Sequence, residues 1–96
     1  MKKIISIGEI NCRKLDLNFK DSIIVFSVSI FLITPKSQER EKLAEEILKI
    51  CKEYEGEISC PIVFDGSLLM RCRFKYREAA ESFIRTLILE YENKYI

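Results

Sequence analysis

The chain has 96 residues, a formal net charge of +1 and a hydrophobic share of 48%. That length suits one domain (1–96) with a modest core, and the balanced charge excludes a strong global pull toward nucleic acid or a membrane surface. His is absent and the Cys at 12, 51, 60 and 72 form no C-x-x-C pair, which excludes the usual zinc-finger arrangements and His-based acid–base or nucleophilic chemistry.

Lys, Glu and Ile are abundant and the amide residues scarce. Thermophile proteins share that balance, and so do the products of AT-rich genomes. Met1-Lys2-Lys3 leads into a mixed segment and not into the apolar core of a signal peptide. A cytoplasmic protein with reduced thiols is therefore expected.

Residues 3–20 alternate weakly. Ile5 and Ile7 share odd parity with Leu15, Leu17 and Phe19, and Gly8 is placed as a bulge or break. A turn near Lys20-Asp21 would set Leu17 opposite Ile24 and Leu15 opposite Phe26. Residues 22–34 are the longest apolar run, rich in Ile, Val and Phe, and too short to cross a bilayer as a helix. This run reads as the central strand of a sheet. Its even positions, Ile24, Phe26, Val28, Ile30 and Leu32, form one apolar face for the helices. Its odd positions form a mixed face.

Thr34-Pro35 reads as a helix start, with Thr34 or Ser37 as N-cap. The spacing of Leu43, Ala44, Ile47, Leu48, Cys51 and Tyr54 predicts a helix over 36–55 that Gly56 ends. A second hairpin follows, with Ile58, Cys60, Ile62 and Phe64 inward on one strand and Met70, Cys72, Phe74 and Tyr76 on the other. A strict two-residue turn at Asp65-Gly66 would pair Ile62 with Leu69 and split these sets between faces. A three-residue loop, Asp65-Gly66-Ser67, pairs Ile62 with Met70, Cys60 with Cys72 and Ile58 with Phe74, and is preferred for that reason. Pro61 lacks an N–H and belongs on a sheet edge. Ala80, Phe83, Ile84, Leu87, Ile88 and Tyr91 give a second helix over 77–94.

The element order is ββαββα. It predicts an α+β two-layer sandwich, a permuted ferredoxin-like fold with a four-stranded antiparallel sheet and two helices on one face. The strand order would be first, second, fourth, third.

Three groups of residues are candidates for function. Arg71, Arg73, Lys75 and Arg77 alternate with the inward residues of the last strand, and such a basic face can neutralise the phosphates of an RNA. The plain alternative is that Glu57 stands opposite Lys75 and pairs with it. Ile23, Val25, Phe31 and Ile33 leave the far face of the central strand too apolar for water, with Ile10 close by, and mark an interface. Residues 1–12 or Tyr95-Ile96 folded across that face would be the alternative. Cys60 and Cys72 face each other in the preferred register, where two buried apolar thiols are commoner than a disulfide. Cys12, on the outer parity, is the expected exposed thiol. No metal-ligand set, cofactor motif or spaced carboxylate pair is present.

From Thr34-Pro35-Lys36-Ser37-Gln38-Glu39, through Gly66 to Phe74, and on to Ala79-Ala80-Glu81-Ser82-Phe83, the layout resembles one family. It is the small dimerising subunit of the KEOPS complex, which modifies tRNA adenosine with threonylcarbamoyl. The resemblance covers residues 22–96, rests on the βαββα order, and implies a non-catalytic dimer platform that helps hold tRNA. The N-terminal strand and the basic stripe are additions to that pattern. The expectation is a non-catalytic accessory subunit in a homo- or hetero-oligomer, touching a protein partner and RNA. A stand-alone nucleic-acid-binding protein of a virus or mobile element is the alternative, as is a small-molecule regulatory domain with the general layout of ACT-type domains.

Overall fold

The computed structural model of the chain describes residues 5–16, 22–33, 37–59, 61–64 and 66–91. In order they form β1 (Ile5–Ile7), β2 (Asn11–Asp16), β3 (Ser22–Ile33), α1 (Ser37–Glu53), β4 (Glu57–Ile58), β5 (Ile62–Phe64), β6 (Ser67–Phe74) and α2 (Arg77–Tyr91). β3 and β6 lie side by side in the middle of one antiparallel sheet. β1 and β2 run along the outer side of β3, and β4 and β5 along the outer side of β6. The sheet thus has six strands, not the expected four, because each outer strand is divided in two.

β3 forms where β-branched and aromatic residues dominate, and its alternation decides which side becomes the core. Val28, Ile30 and Leu32 are fully buried. They pack with Met70, Cys72 and Phe74 of β6, with Leu43, Ile47 and Cys51 of α1, and with Ala80, Phe83 and Leu87 of α2. Both helices therefore cover the even face of β3. The Phe74 and Phe83 rings sit 5.0 Å apart at 43°, which ties β6 to α2. Ile24 is 57% exposed, so the apolar face runs past the helices at that end.

α1 carries its apolar residues four apart at Leu43, Ile47 and Cys51, while Glu41, Lys42, Glu45 and Lys49 face solvent. Glu39 in its first turn and Lys52 in its last complement the helix dipole. The expected cap at Thr34-Pro35 lies outside the described residues, as do the turn at Lys20-Asp21 and residues Leu17 and Phe19. The helix ends in a Schellman arrangement, with Gly56 N–H donating to the Cys51 carbonyl at 2.9 Å and Glu55 N–H to the Lys52 carbonyl at 3.0 Å. The left-handed residue is Glu55, at φ 59°, and not the glycine. Gly56 is needed for space, since a Cβ there would collide with the Phe74 ring and lie 2.6 Å from Cys51 Sγ. Two hydroxyls join the helices. Thr86 Oγ1 donates to the Ser82 carbonyl, which makes Tyr54 the donor in its 2.6 Å bond to Thr86, and Tyr91 donates to Glu46 Oε2 at 2.9 Å.

Both outer strands change register at their break. Gly8 N–H bonds the Ser29 carbonyl, yet Asn11 stands opposite Ser27, so Glu9 and Ile10 together face Val28. This is a β-bulge, and it exchanges the two faces of the strand. Leu15 consequently stands opposite Ile23 and not Phe26, and Ile10 packs against the core cluster. On the other border Ser59 N–H bonds the Arg71 carbonyl, whereas Ile62 stands opposite Leu69. The register moves by one between Ser59 and Ile62, the stretch that holds Pro61. The strict register across Gly66 is the one adopted, pairing Phe64 with Ser67. The preferred three-residue loop is thereby corrected, because the break at Pro61 absorbs the mismatch that the loop was meant to repair. Ile58 stands opposite Cys72, Glu57 opposite Arg73, and Ile62 is 56% exposed.

Cys60 lies outside the described residues. The thiol that Cys72 meets is Cys51, and the hydrogen bond between them, with burial, pushes Cys72 well above the ordinary thiol range. Cys12 is exposed. In native protein a maleimide should label Cys12 and spare Cys51 and Cys72 until denaturant is added, as read by peptide mass spectrometry. Gly56→Ala should lower the unfolding free energy in urea by about 1–3 kcal/mol, the usual cost of forcing atoms into a filled core.

Candidate binding face on the open side of the sheet

Odd positions of β3 point away from the helices, and the ladder aligns them with neighbours in rungs across the sheet. One rung holds Asn11, Ser27, Arg73 and Glu57. The next holds Ser29 and Arg71, with Ser59 bonded to the Arg71 carbonyl. Arg13 lies beside Val25, and Leu15 beside Ile23. Toward the other end come Ser6, Phe31, Leu69 and Ile62 in a single rung. The face therefore has a polar, basic middle with an apolar patch at either end.

The register decides which expected residues meet. Arg71 and Arg73 are on this face, and Lys75 is exposed in the bend after β6. Arg77 is not on it. The chain turns into α2 there, and the Arg77 guanidinium stacks 5.1 Å from the centre of the Phe26 ring on the helix side. Glu57 faces Arg73, not Lys75. Ile23 and Ile33 are 39% and 46% exposed, Phe31 is half-buried, and Val25 is buried. Ile10 has left the group for the core side.

Sequence reasoning missed Arg13, Asn11, Ser27 and Ser29. The signal was Gly8. Carried one step further, a bulge at Gly8 turns Asn11, Arg13 and Leu15 onto the open face.

A pocket of about 260 Å³ opens in the polar middle, lined by Asn11, Cys12, Arg13, Ser27, Ser29 and Arg71. Ser27 is only 3% exposed, and its Oγ has no hydrogen-bond partner among the described residues. The Arg73 Nε beside it is likewise buried without a partner among them. A buried polar atom left unbonded costs about 1–3 kcal/mol, so these two are not incidental to the face. A second pocket of about 220 Å³ lies toward the apolar end, between Leu15, Ile23, Val25 and Arg73.

No family model, curated protein or solved structure matches the chain. The face must therefore be interpreted from its own chemistry. Among the described residues no three His, Cys, Asp or Glu are gathered to hold a metal ion, and no helix is long and apolar enough to cross a membrane.

Ser27→Ala should leave the unfolding free energy unchanged or raise it by up to about 1 kcal/mol in urea titration, because the hydroxyl it removes has no partner among the described residues. A loss of 1 kcal/mol or more would mean that the fold uses this hydroxyl.

Proposed function

We propose that the chain is a non-catalytic accessory module that docks a different protein through the open face of its sheet. The observation that carries this is the arrangement of that face, with arginines in the middle and apolar side chains at both ends, on the side away from the helices. Arginine and apolar anchors are enriched at protein interfaces, and large exposed apolar surface on a sheet marks a contact site. The two-layer layout, taken as a ferredoxin-like sandwich whose N-terminal strands fill the place of the last one, fits a platform role of the kind found in the small KEOPS subunit. A homodimer built face to face is less favoured, since it would gather Arg13, Arg71 and Arg73 of both copies into one interface, with Glu55 and Glu57 the described carboxylates near them.

A second reading is contact with an RNA backbone. The presence of Arg13 beside Arg71 and Arg73 favours it by widening the basic stripe beyond one strand.

The test is affinity purification from the native host, followed by reconstitution with the identified partner. Phe31→Glu and Ile23→Glu should each weaken the complex at least tenfold, while Leu89→Glu, on the exposed side of α2, should not. The chain alone should sediment as a monomer at micromolar concentration. A partner that binds all three variants equally would refute the proposal. Binding to RNA that fades steeply with added salt would replace it with the second reading.

A further inference from the structure

Resting on that docking face, we infer that the pocket at its centre is a receptor for a single carboxylate group carried by an acidic segment of the partner protein. The geometry comes from the ladder. Ser27 and Ser29 are adjacent odd positions of β3, and their ladder neighbours Asn11 and Arg71 flank them on opposite sides. Directly opposed side chains in a sheet start about 5 Å apart, so these groups converge on one small volume. Arg13 joins them from the next odd position of β2.

Each group offers what a carboxylate needs. Arg71 and Arg13 supply charge and forked N–H donors. Asn11 offers an amide N–H. Ser29 offers a hydroxyl in the pocket lining, while the Ser27 hydroxyl beside it is sealed from solvent. Arg71 is flanked across the sheet by Ser29 and Ser59, so the ladder sets no carboxylate of this chain against it. The fold thus supplies donors and cations here in excess of acceptors, and an oxyanion would balance them.

A protein carboxylate fits better than a nucleic-acid backbone for two reasons. The pocket holds about 260 Å³, room for one small oxyanion. Glu57 stands on the same face, opposite Arg73, and the whole chain carries a net charge of only +1, so a polyanion would meet repulsion and little general attraction. The apolar ends, with Ile23 at one and Phe31 at the other, would hold the residues flanking the acidic group.

Amide NMR of the full chain tests this, with acetate as the carboxylate probe and an oligouridylate as the competing source of oxyanions. Acetate should shift the amides of Ser27, Ser29 and Arg71 saturably, with a Kd on the order of millimolar, as expected of a single small ion. Arg13→Gln should weaken binding about tenfold, the usual effect of losing one hydrogen bond to a charged group, and Arg71→Gln should abolish it. The exposed control Leu89→Gln should bind as the native chain does. Any of four results would overturn the inference. Acetate leaves those amides unmoved; Arg13→Gln binds acetate undiminished; the oligouridylate binds more tightly than acetate with strong salt dependence; or the same amides shift with protein concentration alone, which would assign the pocket to a second copy. A partner complex that Phe31→Glu breaks but Arg13→Gln and Arg71→Gln leave intact would keep the docking face and remove the carboxylate site.

Discussion

The pairing of β3 with β6 is the constraint on which everything else depends. Eight consecutive residues of each strand are matched, from Phe26 opposite Phe74 to Ile33 opposite Ser67. Because side chains alternate, this one register sends Val28, Ile30, Met70 and Cys72 to the helices and Ser27, Ser29, Arg71 and Arg73 to the other side. A slip of one residue in β6 would bury guanidinium groups under α1 and α2, and one in β3 would turn Ser27 and Ser29 to the helices and Val28 and Ile30 to the open face. Core burial thus enforces the geometry of the open face, although no residue of that face belongs to the core cluster.

The parts of the fold that follow from simple periodicity were legible in the sequence. The central strand, its even core face and the buried stripe of Leu43, Ile47 and Cys51 all come from repeats of two or 3.6 residues sustained over several turns or pleats. So does the stripe of Ala80, Phe83, Leu87 and Tyr91 in α2. The borders of the sheet were not legible. A bulge adds a residue without interrupting the apolar pattern. Ile5 and Ile7 therefore looked continuous with Leu15, although the strand turns over between them. On the opposite border the apolar alternation around Pro61 suggested that Ile62 faces inward, when its partner is Leu69 on the open side.

The same blind spot governed the candidate site. Arg71 and Arg73 lie on a strand without a bulge, so their common face could be inferred from spacing alone. Arg13 and Asn11 lie beyond one, and their place beside Val25 and Ser27 depends on counting the extra residue at Glu9-Ile10, just after Gly8. Arg77 kept the alternating spacing but not the strand, because helix α2 begins there and its guanidinium finds the Phe26 ring. The unbonded hydroxyl of Ser27 could not be read from sequence at all, since a serine in a strand is unremarkable until its surroundings are known. Spacing along one strand is enough to place Arg71, Arg73, Ser27 and Ser29 on the open face; Asn11 and Arg13 need the cross-strand register, and nothing in the spacing marks the two serines as part of a site.

The divided borders also bear on how molecules of this chain meet sideways. A straight outer strand offers an unbroken row of amides and carbonyls on which a neighbouring sheet can template itself, the route to ribbons and fibrils. Here one border steps at Gly8 and the other at Pro61, whose ring nitrogen has no hydrogen to offer. Neither side presents more than six matched residues before the ladder shifts. Lateral polymerisation is thereby discouraged, and a chain rich in Ile is left with its broad flat surface as the favoured place for company.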